Sequence, residues 1–222
     1  MTDSYFQYLR NVQYKDSSKL DARASLHERY SRNRRGLHRW IFDIFLERTS
    51  GRILEVGSGP GHLWRRNLSR IPNSLSVFLS DVSQGMIETA RNELSSHLPH
   101  FHYAVIDAQT LPFSSSSFEA IIANHMIYHL PDIPRALEEM YRVLVSNGCL
   151  YATTNDDDHL KEIVELVHSI EPSLVFGSRD LLEDGIIPFG MGNGAELLSK
   201  VFDEVEKYAF DDELVITDTQ PL

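Results

Sequence analysis

Gly51-Arg-Ile-Leu-Glu-Val-Gly-Ser-Gly-Pro-Gly61 is a short apolar run that stops abruptly in glycines, and it reads as strand, tight turn, then helix. Ile53, Leu54 and Val56 suit a strand buried in a parallel sheet. Gly57, Gly59 and Gly61 remove the Cβ atoms that would block a sharp turn or an approaching ligand. Pro60 fits the first turn of a helix expected over 60–69, through Leu63, Trp64 and Leu68. The unpaired N–H groups at such a helix start face whatever sits against the glycines.

The spacing discriminates between ligands. A dinucleotide site requires G-x-G-x-x-G, and counting from Gly57 the third glycine falls on His62, so the fingerprint is broken. Glu55 places a carboxylate at the strand end, where it repels a pyrophosphate but helps hold a ligand carrying an ammonium group. Both departures favour an amino-acid-bearing nucleoside over a dinucleotide.

Leu54-Glu-Val-Gly-Ser-Gly-Pro-Gly61 resembles the first motif of class I S-adenosylmethionine-dependent methyltransferases, of the small-molecule, methyltransferase type 11-like kind. Three further segments follow in the family's order: Phe78-Leu-Ser-Asp-Val-Ser-Gln-Gly-Met86, Ile106-Asp-Ala-Gln-Thr-Leu-Pro-Phe113 and Phe118-Glu-Ala-Ile-Ile-Ala-Asn124. Together they cover Ile53 to about Thr154. The resemblance implies an α/β, doubly wound, mostly parallel Rossmann-like sheet, S-adenosylmethionine as donor and S-adenosylhomocysteine as product. It also implies that Asp107 accepts from the adenine amino group beside the Ala108 N–H, and that the Asn124 backbone carbonyl meets the ammonium. Gln84 stands where proline is common, and Ser146-Asn-Gly-Cys149 where a Pro-Gly-Gly turn is usual; both affect local turns.

Composition bounds the rest. A chain of 222 residues, 42% hydrophobic, is long enough for one sizeable core, so one compact unit is expected. No apolar run approaches the ~20 residues that span a bilayer, and the polar start Met1 to Asp3 is no signal peptide, which makes the cytoplasm the default compartment and a membrane partner unexpected. The single Cys149 excludes an internal disulfide and a cysteine-based metal cage. The net charge of −11 divides into +7 over residues 1–70 and −18 over residues 71–222. So acidic a body repels phosphate backbones, and nucleic acid is not expected as a partner. Arg29, Arg32, Arg34, Arg35 and Arg39 read as a solvated helical face.

Residues 1–50 are expected to form a helical cap or flap, with Tyr5, Phe6, Tyr8 and Tyr14 as mobile aromatics before helices at Ser18–Tyr30 and Leu37–Thr49. The second carries Leu37, Trp40, Ile41, Ile44 and Phe45 as one apolar stripe. Tyr30-Ser-Arg-Asn33 breaks between them, and Tyr30 and Asn33, with His129, are candidates for a substrate-side lid; loop capping is the alternative for the break. Residues 51–222 form the nucleoside-binding domain, with strands expected at 52–56, 76–80, 102–106, 120–123 and 149–154 and helices near 84–97, 133–144 and 157–169. Residues 171–200 are expected as a substrate-side insertion ending in a helix at Ala195–Val201. Phe202–Phe210 resembles the family's sixth strand. No clear reversed seventh strand follows, so the fold class allows for the last antiparallel strand to be absent.

Candidate site residues follow from these positions. Asp81 closes the second strand, where a carboxylate accepts from both ribose hydroxyls; a plain helix cap is the alternative, but Ser83 is better placed for that and leaves Asp81 free. Met86 packs on an adenine face or fills the core. Glu55 orients the methionyl end, and Gly57, Ser58, Gly59, Gly61 and Val82 complete the cofactor-binding set. His125-Met-Ile-Tyr-His129 places two histidines on one helical face, but the Glu of H-E-x-x-H and a third ligand are missing, so no metal site is expected. His125, Tyr128 and His129 remain candidate bases, with packing as the alternative for each. Methyl transfer from a sulfonium depends mainly on positioning, worth ~7 to 11 kcal/mol, so a dedicated base is not required.

The reading is therefore an enzyme transferring a methyl group to an oxygen, nitrogen or carbon of a small-molecule acceptor, as a monomer or homodimer. A non-catalytic nucleoside-binding or partner-binding protein is one alternative. An NAD(P)-dependent oxidoreductase is another, disfavoured by His62, by Glu55 and by the lack of a Tyr-x-x-x-Lys pair.

Overall fold

The computed structural model describes residues 12–94, 101–156, 158–159, 161–171 and 187–217. Tyr5, Phe6, Tyr8 and half of the expected insertion lie outside the described residues. Two helices come first, α1 (Ser18–Tyr30) and α2 (Leu37–Leu46). Then β1 (Gly51–Val56), α3 (His62–Arg65), β2 (Leu75–Asp81), α4 (Gln84–Leu94), β3 (Phe101–Val105) and β4 (Phe118–Asn124) alternate, followed by α5 (Ile133–Val143), β5 (Leu144–Thr153), α6 (Lys161–Ile170) and α7 (Gly194–Ser199).

The five strands form one sheet in the order β3-β2-β1-β4-β5, and every pairing is parallel. This is the doubly wound Rossmann-like arrangement, and no antiparallel strand joins it among the described residues. The register puts Ile53 beside Val77 and Ala120, and Leu54 beside Phe78 and Ile121. Because side chains alternate along a strand, the first row faces one layer and the second row the other. Ile53, Val77 and Ala120 pack with Phe42, Phe45 and Trp64, whereas Leu54 and Ile121 pack with Leu137 and Met140 of α5. With both faces covered, the ligand-sized opening of such a sheet lies beyond the carboxyl ends of its strands.

Several elements differ from expectation, each for a visible reason. The helix after the glycines is one turn, starting at His62 rather than Pro60, because Gly61 takes the left-handed conformation at φ 79° just before it. It ends where the buried Asn67 amide donates to the carbonyls of Leu63 (2.8 Å) and His38 (3.2 Å), leaving only a 3-10 turn at Leu68–Arg70. β5 begins at Leu144, five residues before Cys149, through a register irregularity opposite Phe118 and Ala120. Phe202–Phe210 forms no strand: its charged side chains stay exposed, and the segment is held instead by Arg48 on Glu206 (3.1 Å) and by Phe210 against Trp40 (5.3 Å). The five arginines are exposed but spread over α1, α2 and the break between them rather than along one helical face. That break is stitched to the C-terminal segment by the Val215 N–H on the Tyr30 carbonyl (2.9 Å) and the Asn33 N–H on Asp212 (3.0 Å). Among the described residues no helix is long and apolar enough to cross a membrane.

Candidate functional site

The tips of β1 and β2 are tied to each other. Gly57 and Gly59 have φ of 61° and 55°, which a side chain would strain. A Cβ on Gly57 would lie 2.7 Å from Met126, and one on Gly59 would lie 3.3 Å from Leu20 of α1. The Ser58 N–H donates to the Ser80 carbonyl at 2.9 Å. Asp81 then joins both loops: one carboxylate oxygen accepts from the Gly59 N–H at 2.9 Å and the other from the Ser83 N–H at 2.8 Å. The expectation of a free Asp81 is therefore corrected, although Ser83 is the cap of α4, its hydroxyl accepting from the Met86 N–H at 3.3 Å. Burial raises the Asp81 pKa, opposed by these amide hydrogen bonds. The Val82 amide adds a third such bond, so the carboxylate keeps only part of its acceptor capacity.

Glu55 lies beneath this loop, 2% exposed. Its carboxylate accepts from the Trp64 indole N–H (2.5 Å) and the Asn124 side-chain amide (3.0 Å), and Thr153 in turn donates to Asn124 (3.3 Å). Burial pushes the Glu55 carboxyl up to about 7, against the pull of the two hydrogen bonds. Both oxygens expected to orient an ammonium are thus already engaged, and they fix the tip of β4 relative to β1.

Asp107 folds back on its own loop, its carboxylate accepting from the Gln109 backbone N–H (2.9 Å) and side-chain amide (3.0 Å). Ala108 and Met86 are buried, Val82 half-buried, and all three border the same opening as Gly57 and Asp81. Gly61 does not join them: its bare face meets Leu94, 2.7 Å from where a Cβ would stand, which is close helix packing.

The stretch from His125 to His129 is not a helix, so its two imidazoles do not share a helical face. His125 takes φ 49°, its N–H reaching the Thr153 carbonyl at 3.1 Å, and only Ile127–His129 forms a 3-10 turn. His129 Nε2 lies 3.0 Å from the Tyr14 hydroxyl, and Tyr128 packs edge-on to the same ring at 4.4 Å. Burial pushes the imidazoles of His125 and His129 down to about 4. Among the described residues no group of His, Cys, Asp and Glu is arranged to hold a metal ion.

The hollow over the strand tips thus brings together Gly57, Gly59, Asp81, Asn124, His125 and His129, with Ser58, Tyr128, Asp107 and Ala108 on its walls. Tyr30 is outside it, and Asn33 is bonded into the C-terminal segment. Sequence reasoning missed three participants. Tyr14 carried no periodic signal; His62, noticed only as a broken glycine position, pairs with Asp21 of α1 at 2.7 Å. His38 lies against His62, ring centroids 6.0 Å apart, and burial pushes it down to about 3.

Residues 53–148 match the family model described as a methyltransferase domain. The chain is 28% identical over 173 residues to the malonyl-(acyl-carrier protein) O-methyltransferase of Geobacter sulfurreducens, covering 78% of this chain and 62% of that one. It is 31% identical over 164 residues to the ubiquinone/menaquinone biosynthesis C-methyltransferase UbiE of Rickettsia prowazekii, covering 67% and 66%. This chain therefore spans just under two thirds of the length of these curated relatives. Among solved structures, the putative methyltransferase of Haloferax volcanii in complex with the Trm112 methyltransferase activator superposes with a TM-score of 0.57 at 18% identity, covering 90% of this chain and 76% of that one, a likeness of fold.

Proposed function

We propose that this chain, which belongs to the class I S-adenosylmethionine-dependent methyltransferases, transfers a methyl group from S-adenosylmethionine to an oxygen, nitrogen or carbon of a small-molecule acceptor. The observation that carries the reading is the bond from Gly59 N–H to Asp81 at 2.9 Å, which unites bare backbone and a buried carboxylate in one hollow. When bound, the cofactor supplies a sulfonium whose methyl group is already activated for attack.

The residues present suit that nucleoside. Asp81 retains acceptor capacity beyond its amide hydrogen bonds for a ribose hydroxyl, and Gly57 and Gly59, whose bare faces are met by Met126 and Leu20, border the same hollow. Asp107 is placed at the β3 tip for the base, sharing its carboxylate with Gln109. Glu55 acts from below, holding Asn124 so that its carbonyl meets the ammonium. Of the opening 1–50 segment, α1 serves as the cap, lying against Gly59 through Leu20, while α2 packs into the core. The chain's contribution is alignment and exclusion of water, and oriented reactants can gain ~7 to 11 kcal/mol that way. His129, with Tyr128 and Tyr14 beside it, is poised to take a proton from the acceptor, its imidazole neutral at ordinary pH.

Calorimetry with S-adenosylhomocysteine tests the reading. Binding in the micromolar range, lost in Asp81→Ala, is expected; the absence of heat with the intact chain would count decisively against it. Transfer of labelled methyl from S-adenosylmethionine to a panel of hydroxylated, amino and activated-carbon acceptors then tests turnover.

A further inference from the structure

Within the eight residues Tyr14–Asp21, the chain leading into α1 crosses the ends of three neighbouring strands, β2, β1 and β4. The Tyr14 hydroxyl lies 3.0 Å from Nε2 of His129, in the turn after β4. The Lys15 carbonyl stands against Gly85 of α4, after β2, where a Cβ would lie 2.1 Å from it. Leu20 covers Gly59 after β1, and Asp21 meets His62 at 2.7 Å. Between these points Asp16 accepts from the Ser18 N–H (3.0 Å) and hydroxyl (2.5 Å), which fixes the bend from this segment into the helix. All these contacts sit on one short stretch, so lifting it takes Tyr14 off His129.

The bond between Tyr14 and His129 decides what the imidazole can do. The tautomer of a neutral ring is set by the hydrogen bonds its nitrogens make. Nδ1 of His129 makes none among the described residues, which leaves the choice to Tyr14. A phenol is a stronger proton donor than a neutral imidazole N–H, and a bare ring nitrogen is a stronger acceptor than a phenol oxygen. The hydroxyl therefore donates, Nε2 accepts, and the ring proton stays on Nδ1. With its proton turned to Nε2, the Tyr14 oxygen keeps acceptor capacity for a further O–H or N–H. Tyr128 and Tyr14 hold the imidazole edge-on, ring centroids 4.4 and 5.4 Å away. The Arg23 guanidinium, 5.8 Å from the centre of the Tyr14 ring, favours negative charge on that phenol as its proton leaves.

Resting on the methyltransferase reading, we propose that Tyr14 is a catalytic residue, its oxygen meeting the acceptor's O–H or N–H, and that it forms with His129 a proton-accepting pair which exists only while the Tyr14–Asp21 segment is in place. As the acceptor oxygen or nitrogen bonds the methyl group, the carbon–sulfur bond breaks and its electron pair stays on sulfur. The acceptor's proton passes to the Tyr14 oxygen, and the Tyr14 proton passes to Nε2 of His129. Positive charge lost by the sulfonium ends on the imidazole, so the hollow keeps its net charge. With the segment lifted, His129 has lost the hydroxyl that connects it to the acceptor, and proton removal waits until the strand ends are covered again.

The pair can be read without knowing the acceptor. Two-bond proton–nitrogen correlation spectra of the chain labelled with nitrogen-15 histidine, at pH 7.5, alone and saturated with S-adenosylhomocysteine, report the tautomer, and His129→Asn identifies the His129 signals. The expected form is Nδ1–H, opposite to the one favoured in water. It should revert to Nε2–H in Tyr14→Phe, which removes one oxygen and keeps the ring. Gly85→Ala, which pushes on the Lys15 carbonyl and leaves Tyr14 intact, should revert it in part. With the hydroxylated or amino acceptor that gives most labelled product, Tyr14→Phe and His129→Asn should each lower kcat about a hundredfold, with KM for S-adenosylmethionine within about twofold and no further loss in the double variant. An Nε2–H ring in the intact chain, a tautomer unmoved by Tyr14→Phe, or full kcat in that variant would each overturn the pair. A tautomer unmoved by Gly85→Ala would overturn its dependence on the segment. Failure of S-adenosylhomocysteine to bind, or no labelled product from any acceptor, would count against the methyltransferase reading instead, while the tautomer still reports on the pair, so the two failures separate.

Discussion

The two helices that open the described chain are fastened in opposite ways. α2 buries Ile41, Phe42 and Phe45, the two phenylalanines against each other at 4.8 Å and against Trp64 at 6.1 and 5.7 Å. α1 is longer, thirteen residues against ten, yet buries none of them. It is held by polar contacts: Asp21 on His62, Glu28 on Arg66, and the Ser31 bridge to Leu214 beyond its end. Full burial of an aromatic or branched side chain stabilises by about 1.5–3 kcal/mol, whereas an exposed ion pair contributes about 0–1 kcal/mol. The helix lying on the glycine loop is thus the one that detaches most cheaply, while the helix beside it belongs to the core. That contrast fits the proposed role of α1 as a cap over the glycine loop.

The largest expected effect would break the apolar side. Phe42→Ala should destabilise the whole fold by about 3–5 kcal/mol, read as a lowered denaturant midpoint, because it empties a site at 0% exposure. A variant at wild-type stability would mean that α2 is no more integral than α1.

Acid comes next and separates the helices by pH window. His38 of α2, with His125 and His129, is held well below its usual range by burial, so the unfolded chain binds protons near 6.5 that the folded chain refuses. Stability contributed by these neutral rings is complete above about 6.5 and is lost as pH falls toward 4. Asp21 of α1 has its pKa lowered, by hydrogen bonds from Ser17 and His62 that outweigh the opposing burial, so its contribution persists through that range and fades only below its ordinary value of 3.8. Thermal melts from pH 7 to 4 should therefore show a steep fall above pH 4; a flat profile would contradict the buried, neutral rings.

A smaller change tests the cap alone. A Cβ on Gly85 would lie 2.1 Å from the Lys15 carbonyl, where the chain leading into α1 crosses the start of α4. Gly85→Ala should cost about 1–3 kcal/mol locally. Hydrogen exchange is expected to accelerate across 18–30 and to stay unchanged across 37–46. The smallest effect is Glu28→Gln, within about 1 kcal/mol, with α1 exchanging faster while α2 is indifferent to the substitution.

How much of this was legible in the sequence depends on the range of the interaction. The glycine run, the alternating strands and the stripe on α2 are local patterns, and β2, β3 and the bounds of α1 fall within a residue of expectation. The misreadings are long-range. Asn67 stops α3 by reaching His38, 29 positions away, and Asp81 is engaged by Gly59 because two loops meet. Phe202–Phe210 has strand-like residues, yet among the described residues nothing beside it completes a ladder. In the candidate site, the positions at strand tips were readable because tips follow from strands. Tyr14 on His129 and Asp21 on His62 were not, since each joins the opening helix region to a segment remote in the chain.

Asp81 has a thermodynamic consequence of its own. By gripping Gly59 and Ser83 at once, it sets the entrance before any guest arrives, so little chain freedom remains to be surrendered on complexation. For the nucleoside proposed above, the loops after β1 and β2 would act as a finished socket, leaving the ordering cost of docking to other segments such as the loosely held outer helix.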